Sequence, residues 1–182
     1  MGDEVTTERL VLRPWQIDDA DQALGIYGDQ EIARWLSPAL GRVPDPASMR
    51  LVLEQWITED SRLAAPSGRW AITARDDGRL LGGAILLPLP PGGEDLELGW
   101  QLRQDAWGYG YASEAGRALA RWGFDHDEEE IFAVVRTTNS RAAATARRIG
   151  MEWVGETSKY YDLTLQVFRL RSADVPRRTL FP

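Results

Sequence analysis

Trp107-Gly108-Tyr109-Gly110-Tyr111-Ala112 is the stretch that decides how this chain is read. It separates an alternating apolar stretch from a run that carries small residues at helical spacing. Glycines at the mouth of a helix let consecutive backbone N–H groups converge on one anion, and the helix dipole adds partial positive charge there. Such a loop suits a ligand with a pyrophosphate, gripped by main chain more than by side chains.

The flanks place this loop between a strand and a helix. Leu96, Leu98, Trp100 and Leu102 alternate with Glu97, Gly99, Gln101 and Arg103, which predicts a strand with one apolar face. After the loop, Ala112, Ala115, Leu119 and Trp122 share the inner side of a helix over residues 111–124. Residues 131–137 form a short apolar run fit for a buried strand. Asn139 or Ser140 then caps a helix with Ala142, Ala146 and Ile149 on one face, and Gly150 stops it where a left-handed residue is favoured. Two strands, residues 152–159 and 163–171, follow across Tyr160-Tyr161-Asp162, and the last residues, with Pro176 and Pro182, read as irregular.

Upstream, residues 9–13 read as a first strand stopped by Pro14. Asp18 is the expected cap of a helix carrying Ala20, Leu24 and Tyr27. A second helical piece holds Ile32, Trp35 and Leu36 and ends at Ser37-Pro38. Asp45-Pro46 opens a third, with Met49, Val52, Leu53, Trp56 and Ile57 as its apolar stripe. Trp70, Ile72 and Ala74, the Asp77-Gly78 turn and the apolar residues 80–87 make a β-hairpin, and residues 88–93 a loop. The order β-α-α-α-β-β-β-α-β-α-β-β predicts an α/β (α+β) fold: a mixed, twisted central sheet of about seven strands flanked by helices, as one domain over residues 1–182.

Composition narrows the function. The net charge of −7 disfavours nucleic acid as a partner. The absence of cysteine removes disulfides, thiol catalysis and thiolate metal sites. His126 is the single histidine, which disfavours a histidine triad or a multi-histidine metal centre; it is expected to face solvent without a role. The N-terminus lacks the apolar stretch of a signal peptide, and Met1-Gly2 opens a formal myristoylation pattern that its acidic residues disfavour. No run is long and apolar enough to suggest a membrane span. A cytoplasmic protein is expected, and the lone Lys159 among many arginines suggests a bacterium rich in G+C.

Two familiar phosphate binders fit poorly. A dinucleotide fingerprint needs Gly or Ala where Ser113 stands, and it belongs in a βαβ unit. The triphosphate-binding loop needs a Gly-Lys pair that this loop lacks.

The pattern instead resembles the GNAT superfamily of acetyl-CoA-dependent N-acetyltransferases, and within it the RimJ/RimL-like branch. The resemblance covers almost the whole chain: residues 7–14 as the opening strand, Asp18-Asp19-Ala20 as the first helix start, Glu97-Leu98-Gly99-Trp100 as the fourth strand, residues 107–115 as the cofactor loop, and residues 139–151 as a second cofactor segment. The family's Gln/Arg-x-x-Gly-x-Gly/Ala loop aligns as Trp107-x-x-Gly110-x-Ala112, with tryptophan in the first place. The resemblance implies that Trp107, Gly108, Tyr109, Gly110, Tyr111 and Ala112 bind the coenzyme A pyrophosphate. It further implies that Trp100, Gln101 and Leu102 hold the pantetheine arm and acetyl oxygen, and that Asn139 adds a contact beside its capping role. The fourth and fifth strands are expected to splay apart, and Gly99 to ease close approach of the backbone.

By the same resemblance Glu97 is the candidate general base, with a salt-bridged or solvated strand glutamate as the alternative. Relatives often protonate the leaving thiolate from positions that Ala142 and Ala146 occupy here, and neither can donate a proton. Tyr160, Tyr161 or Ser140 are substitutes, each with a structural alternative. Arg141 can meet a phosphate or stay exposed. Trp15, Trp35, Trp56 and Trp70 can wall an acceptor pocket, but core packing is the expected use. The implied partner is a primary-amine acceptor, either a protein N-terminus or a small molecule, used by a monomer or homodimer without a metal. A non-catalytic acyl-CoA-sensing module is the second reading.

Overall fold

A computed structural model describes residues 3–36, 40–90 and 93–176. Thirteen elements build it: β1 (Val5–Thr6), β2 (Leu10–Pro14), α1 (Ala20–Tyr27), α2 (Gln30–Ala33), α3 (Pro46–Asp60), β3 (Gly68–Ala74), β4 (Leu80–Pro88), β5 (Leu96–Leu102), α4 (Tyr111–Phe124), β6 (Glu130–Arg136), α5 (Ser140–Ile149), β7 (Glu152–Thr157) and β8 (Leu165–Arg171). One sheet runs β1-β2-β3-β4-β5-β6-β8-β7, antiparallel throughout except where β5 lies parallel to β6.

The alternation read from the sequence becomes two packed layers. On one face Leu10, Trp70, Ile72, Leu86, Leu98 and Phe168 meet Ala115 and Leu119 of α4 and Ala146 and Ile149 of α5. On the other, Ala71 and Leu80 meet Trp15, Ala23, Ile26, Tyr27, Met49 and Leu53 from the region of α1 to α3. Trp15, Tyr27 and Trp56 stack edge-on and tilted there, with centroids 5.1–6.0 Å apart. Small residues let the layers close: a side-chain carbon at Gly116 would collide with Ile149.

Several expectations are corrected. The sheet has eight strands, because Val5–Thr6 adds a two-residue strand against Leu12 and Val11, too short to show alternation. Asp19, not Asp18, organises the first helix. Its carboxylate accepts from the Gln16 amide at 2.9 Å and from Arg13, in a short 3-10 turn that leads into α1. Helix α2 ends at Ala33, so Trp35 and Leu36 lie beyond it; its expected end at Ser37-Pro38, and Pro182, lie outside the described residues. The last two strands are shorter than read, leaving a wider turn over residues 158–164. Ile57 is 37% exposed, at the edge of its stripe. His126 is half-buried, its ring tilted against that of Trp122 with centroids 4.0 Å apart, and bonded to the Trp122 carbonyl at 2.7 Å.

Two glycines decide how β5 is seated. Gly99 pairs with Ile85 on β4, and a side-chain carbon there would come within 2.9 Å of the Ile85 side chain. A carbon at Gly82 would strike the Gln101 carbonyl and sit 2.6 Å from Leu102. Backbone cannot yield as a flexible side chain can, so Gly82→Ala is expected to cost about 1–3 kcal/mol, read as a lower urea midpoint.

Candidate active site

β5 and β6 meet at one register point, Glu97 opposite Phe132. Beyond it they part, and a cleft of about 220 Å³ opens along the C-terminal halves of both strands. The direction of the β5 backbone follows from one bond, the Arg103 amide to the Leu81 carbonyl at 2.9 Å. Main-chain groups alternate along an antiparallel pair, so Gly99 and Gln101 turn toward β4 while Trp100 and Leu102 turn toward the gap. The Leu102 carbonyl accepts from Trp107 Nε1 at 3.0 Å. The main-chain groups of Trp100 therefore face the opening.

Trp100, Gln101, Leu102, Trp107, Ala112, Asn139 and Glu97 all line the cleft. Gln101 does so through its side chain, on the same strand face as Glu97. Gly108, Tyr109, Gly110 and Tyr111 do not line it; the first three form an exposed bend beyond its rim, and Tyr109 stacks on the half-buried Tyr111 at 5.7 Å. Asn139 caps α5, its Oδ1 accepting from the Ala142 amide at 3.1 Å.

The bend is built to offer amides. Gly108 (φ 85°) and Gly110 (φ 82°) adopt left-handed backbone that costs glycine little. No hydrogen-bond acceptor among the described residues meets the amides of Gly108, Tyr109, Gly110, Tyr111, Ala112 or Ser113. The first α4 bond runs from the Glu114 amide to the Gly110 carbonyl. The buried Ser113 hydroxyl also lacks a partner among the described residues. Six free amides at a helix N-terminus can hold a pyrophosphate, while the Ser113 hydroxyl is turned into the core. They fit the coenzyme that the sequence resemblance implies.

A clamp from the opposite edge of the sheet fixes the bend. Arg9 Nη1 donates to the Tyr109 carbonyl at 2.9 Å, and its Nε and amide N–H bond the Glu114 carboxylate at 2.7 and 2.9 Å. Thr7 adds its hydroxyl to Glu114 at 2.6 Å, and Arg9 lies 4.7 Å from the centre of the Tyr111 ring. A trans peptide points its C=O and N–H in opposite directions, so holding the Tyr109 carbonyl on Arg9 turns the Gly110 amide away from Arg9. Burial raises the Glu114 carboxyl, but the hydrogen bonds and charge of Thr7 and Arg9 outweigh it and hold it below the usual range. Arg141 covers the Trp107 ring at 3.6 Å and also lines the cleft.

At the inner end of the cleft Tyr161 donates its hydroxyl to Glu97 Oε2 at 2.7 Å. Tyr161 (φ 57°) and Asp162 (φ 53°) are both left-handed, a conformation rare for bulky residues and frequent at functional sites. Burial pushes the Glu97 carboxyl above the usual range, with the Tyr161 hydrogen bond opposing that shift. Burial and then the neighbouring Glu97 charge push the Tyr161 phenol up, so it stays protonated and donates. Tyr161 stands in a turn, and nothing near it in the sequence signals contact with a residue 64 places away. Ala142 lines the cleft while Ala146 is buried in the core, and Thr145 brings a hydroxyl to the cleft wall that sequence reading passed over. Of the four tryptophans weighed, Trp35 alone lines the cleft, and Trp70 is deep in the core. Among the described residues no cluster of metal-ligating side chains occurs and no helix is long and apolar enough to cross a membrane.

Known proteins match this architecture. The family described as "Acetyltransferase (GNAT) domain" matches residues 9–152. An uncharacterized N-acetyltransferase, p20, of Bacillus licheniformis is 26% identical over 65% of this chain, which spans 64% of that relative's own length. RimJ of Mycobacterium smegmatis, solved with CoA-disulfide, superposes with a TM-score of 0.81 at 17% identity, covering 96% of this chain and 90% of that one. AAC(6')-Ib, solved with ribostamycin and coenzyme A, gives 0.73 at 16% identity, covering 94% and 98%. The family match takes in well over half of the sequence, and the chain belongs to the GNAT acetyltransferases.

Because the raised Glu97 carboxyl favours its neutral form in the folded state, its contribution to stability is fully present below the unfolded carboxyl value. That contribution is lost as pH rises through the folded value. Tyr161→Phe removes a hydrogen bond to the ionised form, worth about 1.5–3 kcal/mol. The Glu97 carboxyl is then expected to titrate at a higher pH than in the unaltered protein, followed by isotope-edited NMR.

Proposed function

We propose that this GNAT acetyltransferase moves an acetyl group from acetyl-CoA to a primary amine by direct attack within a ternary complex, in a single catalytic domain. The observation that carries the reading is the split between β5 and β6, with free amides at one end and a half-buried Glu97 carboxyl at the other. The RimJ and AAC(6')-Ib structures, each holding coenzyme A or its disulfide, support a coenzyme A donor here by shared fold.

The pyrophosphate would lie on the amides of residues 108–113, ahead of α4. Trp107 and Arg141 would flank the adjoining arm, and Asn139 would face it across the cleft. When bound, acetyl-CoA supplies a thioester carbonyl open to attack. The amine must first lose a proton, since an ammonium near pKa 10 has no lone pair to offer. Glu97 takes that proton, directly or through a water, and its raised carboxyl value brings its basicity closer to working pH than an ordinary glutamate. Tyr161, protonated, holds the carboxylate in place. The Trp100 N–H, turned into the gap, is the chain's donor for charge developing on the carbonyl oxygen. The new C–N bond forms as the C–S bond breaks, and the second proton of the attacking nitrogen passes through water to the departing sulfur, a tolerable thiolate with pKa about 8.5.

Glu97→Gln is expected to lower kcat by about 10²–10⁴-fold while calorimetry still detects acetyl-CoA binding. Thiol release at the wild-type rate across the pH range rejects the assignment. Arg9→Ala frees the Tyr109 carbonyl from its clamp and is expected to weaken coenzyme A binding roughly tenfold, with a smaller change in kcat. An unchanged dissociation constant would show that the bend keeps its shape without Arg9.

A further inference from the structure

We infer that the acceptor is a monoamine with an apolar body and a carboxylate several bonds from the amine, and that Arg136 binds that carboxylate. The inference rests on the acetyltransferase reading of the same cleft and names the class of amine it takes.

Alternation along β6 sets the geometry. Ile131, Ala133 and Val135 are buried in the core beneath α4 and α5, so Phe132, Val134 and Arg136 project on the opposite face. Phe132 and Val134 pack there against Leu89, Tyr160 and Leu165. Glu97 projects on this face too, since Leu96 and Leu98 on either side of it enter the core. Arg136 Nη2 reaches the Leu36 carbonyl at 3.1 Å, across the end of the cleft. Glu97, Tyr161, Arg136, Ile32, Trp35 and Leu163 thus enclose the compartment on the side away from α4 and α5.

Charge on these walls is sparse and specific. Among the described residues, Glu97, Arg136 and Arg141 are the charged side chains lining the cleft, and Arg141 is stacked on Trp107 at its other end. Glu97 is therefore the sole carboxylate on the lining. Arg136 forms no ion pair with any described carboxylate, and a guanidinium carries five N–H donors, of which one is engaged with Leu36. A polyamine or aminoglycoside brings further ammonium groups. Here they would face Arg136 with no second carboxylate to receive them. A carboxylate on the acceptor instead meets a planar fork suited to bidentate binding.

Spacing sets the length. Phe132 stands opposite Glu97, and Arg136 lies four residues further along β6. At roughly 3.3 Å per residue Arg136 lies about 13 Å along the strand direction from the level of Glu97, a span that two long side chains shorten by several ångströms. A dipeptide with an apolar side chain fits that span better than an α-amino acid, whose amine and carboxylate share one carbon. Trp35, Ile32 and Leu163 supply the apolar wall.

Alanyl-phenylalanine and its C-terminal amide differ only in the charge that Arg136 would read, and serve as the probes. Calorimetry on the coenzyme A-saturated protein is expected to show at least tenfold tighter binding of the free acid. The same preference is expected in KM for acetyl transfer, with spermidine and an aminoglycoside poorer acceptors than either. Arg136→Gln is expected to bring the free acid down to the level of its amide, while Arg136→Lys restores part of the preference; matching thermal melts exclude misfolding. Equal binding of acid and amide overturns the inference, as does a preference for spermidine, or an Arg136→Gln effect confined to acetyl-CoA. Transfer to amines without carboxylate preference leaves the acetyltransferase reading standing. Carboxylate-dependent binding with no transfer to any amine does the reverse.

Discussion

The single ladder pair between β5 and β6 governs this molecule. Two parallel strands that pair at Glu97 and Phe132 and then separate leave main-chain groups of β5 without a neighbouring strand. A sheet ordinarily satisfies such groups with its next ladder, and unpaired ones are costly once water is excluded. Here the gap becomes a cleft. Trp107 closes part of it by donating to Leu102, and the Trp100 groups remain turned inward. The bare Gly82 and Gly99 let β5 press against β4, which holds its other edge while the β6 edge stays open.

The two ends of the cleft are stabilised by opposite means. The bend before α4 exposes amides because the Tyr109 carbonyl is held by Arg9, and Arg9 is itself held by Glu114 from the first turn of that helix. Surface ion pairs contribute little when isolated, but this one also bonds an amide, a hydroxyl and a carbonyl, and so fixes a shape. At the inner end, Glu97 is short of water and has one donor, Tyr161, held by a turn with two left-handed residues. Desolvation at that end disfavours the charged form of the Glu97 carboxyl, and the Tyr161 hydrogen bond offsets part of it.

Much of the architecture was legible in residue order. The strict alternation at 96–102, the left-handed stop at Gly150 and the Asp45-Pro46 helix start all stand as read, since each follows from local sterics and capping. Local signals misled where a neighbour one residue away made the better contact. Asp18 has the cap position by pattern, yet Asp19 faces both Arg13 and the Gln16 amide. Val5–Thr6 joins the sheet only because β2 is already there to pair with it. Trp35 was indistinguishable by composition from Trp15 and Trp70, and it lines the cleft because α2 ends early and leaves it outside the core.

Sequence alone determined the order of elements, the glycine bend ahead of a helix, the polar face of the strand carrying Glu97 and the family resemblance, because these depend on residues close together in the chain. Tertiary structure alone decided that Tyr161 meets Glu97, that Arg9 orients the bend and that Arg136 reaches Leu36 across the cleft. Those contacts join residues 64 to 100 places apart. Side-chain pattern says which face of an element is polar; only the packing of that element against others says what the polar group will find there.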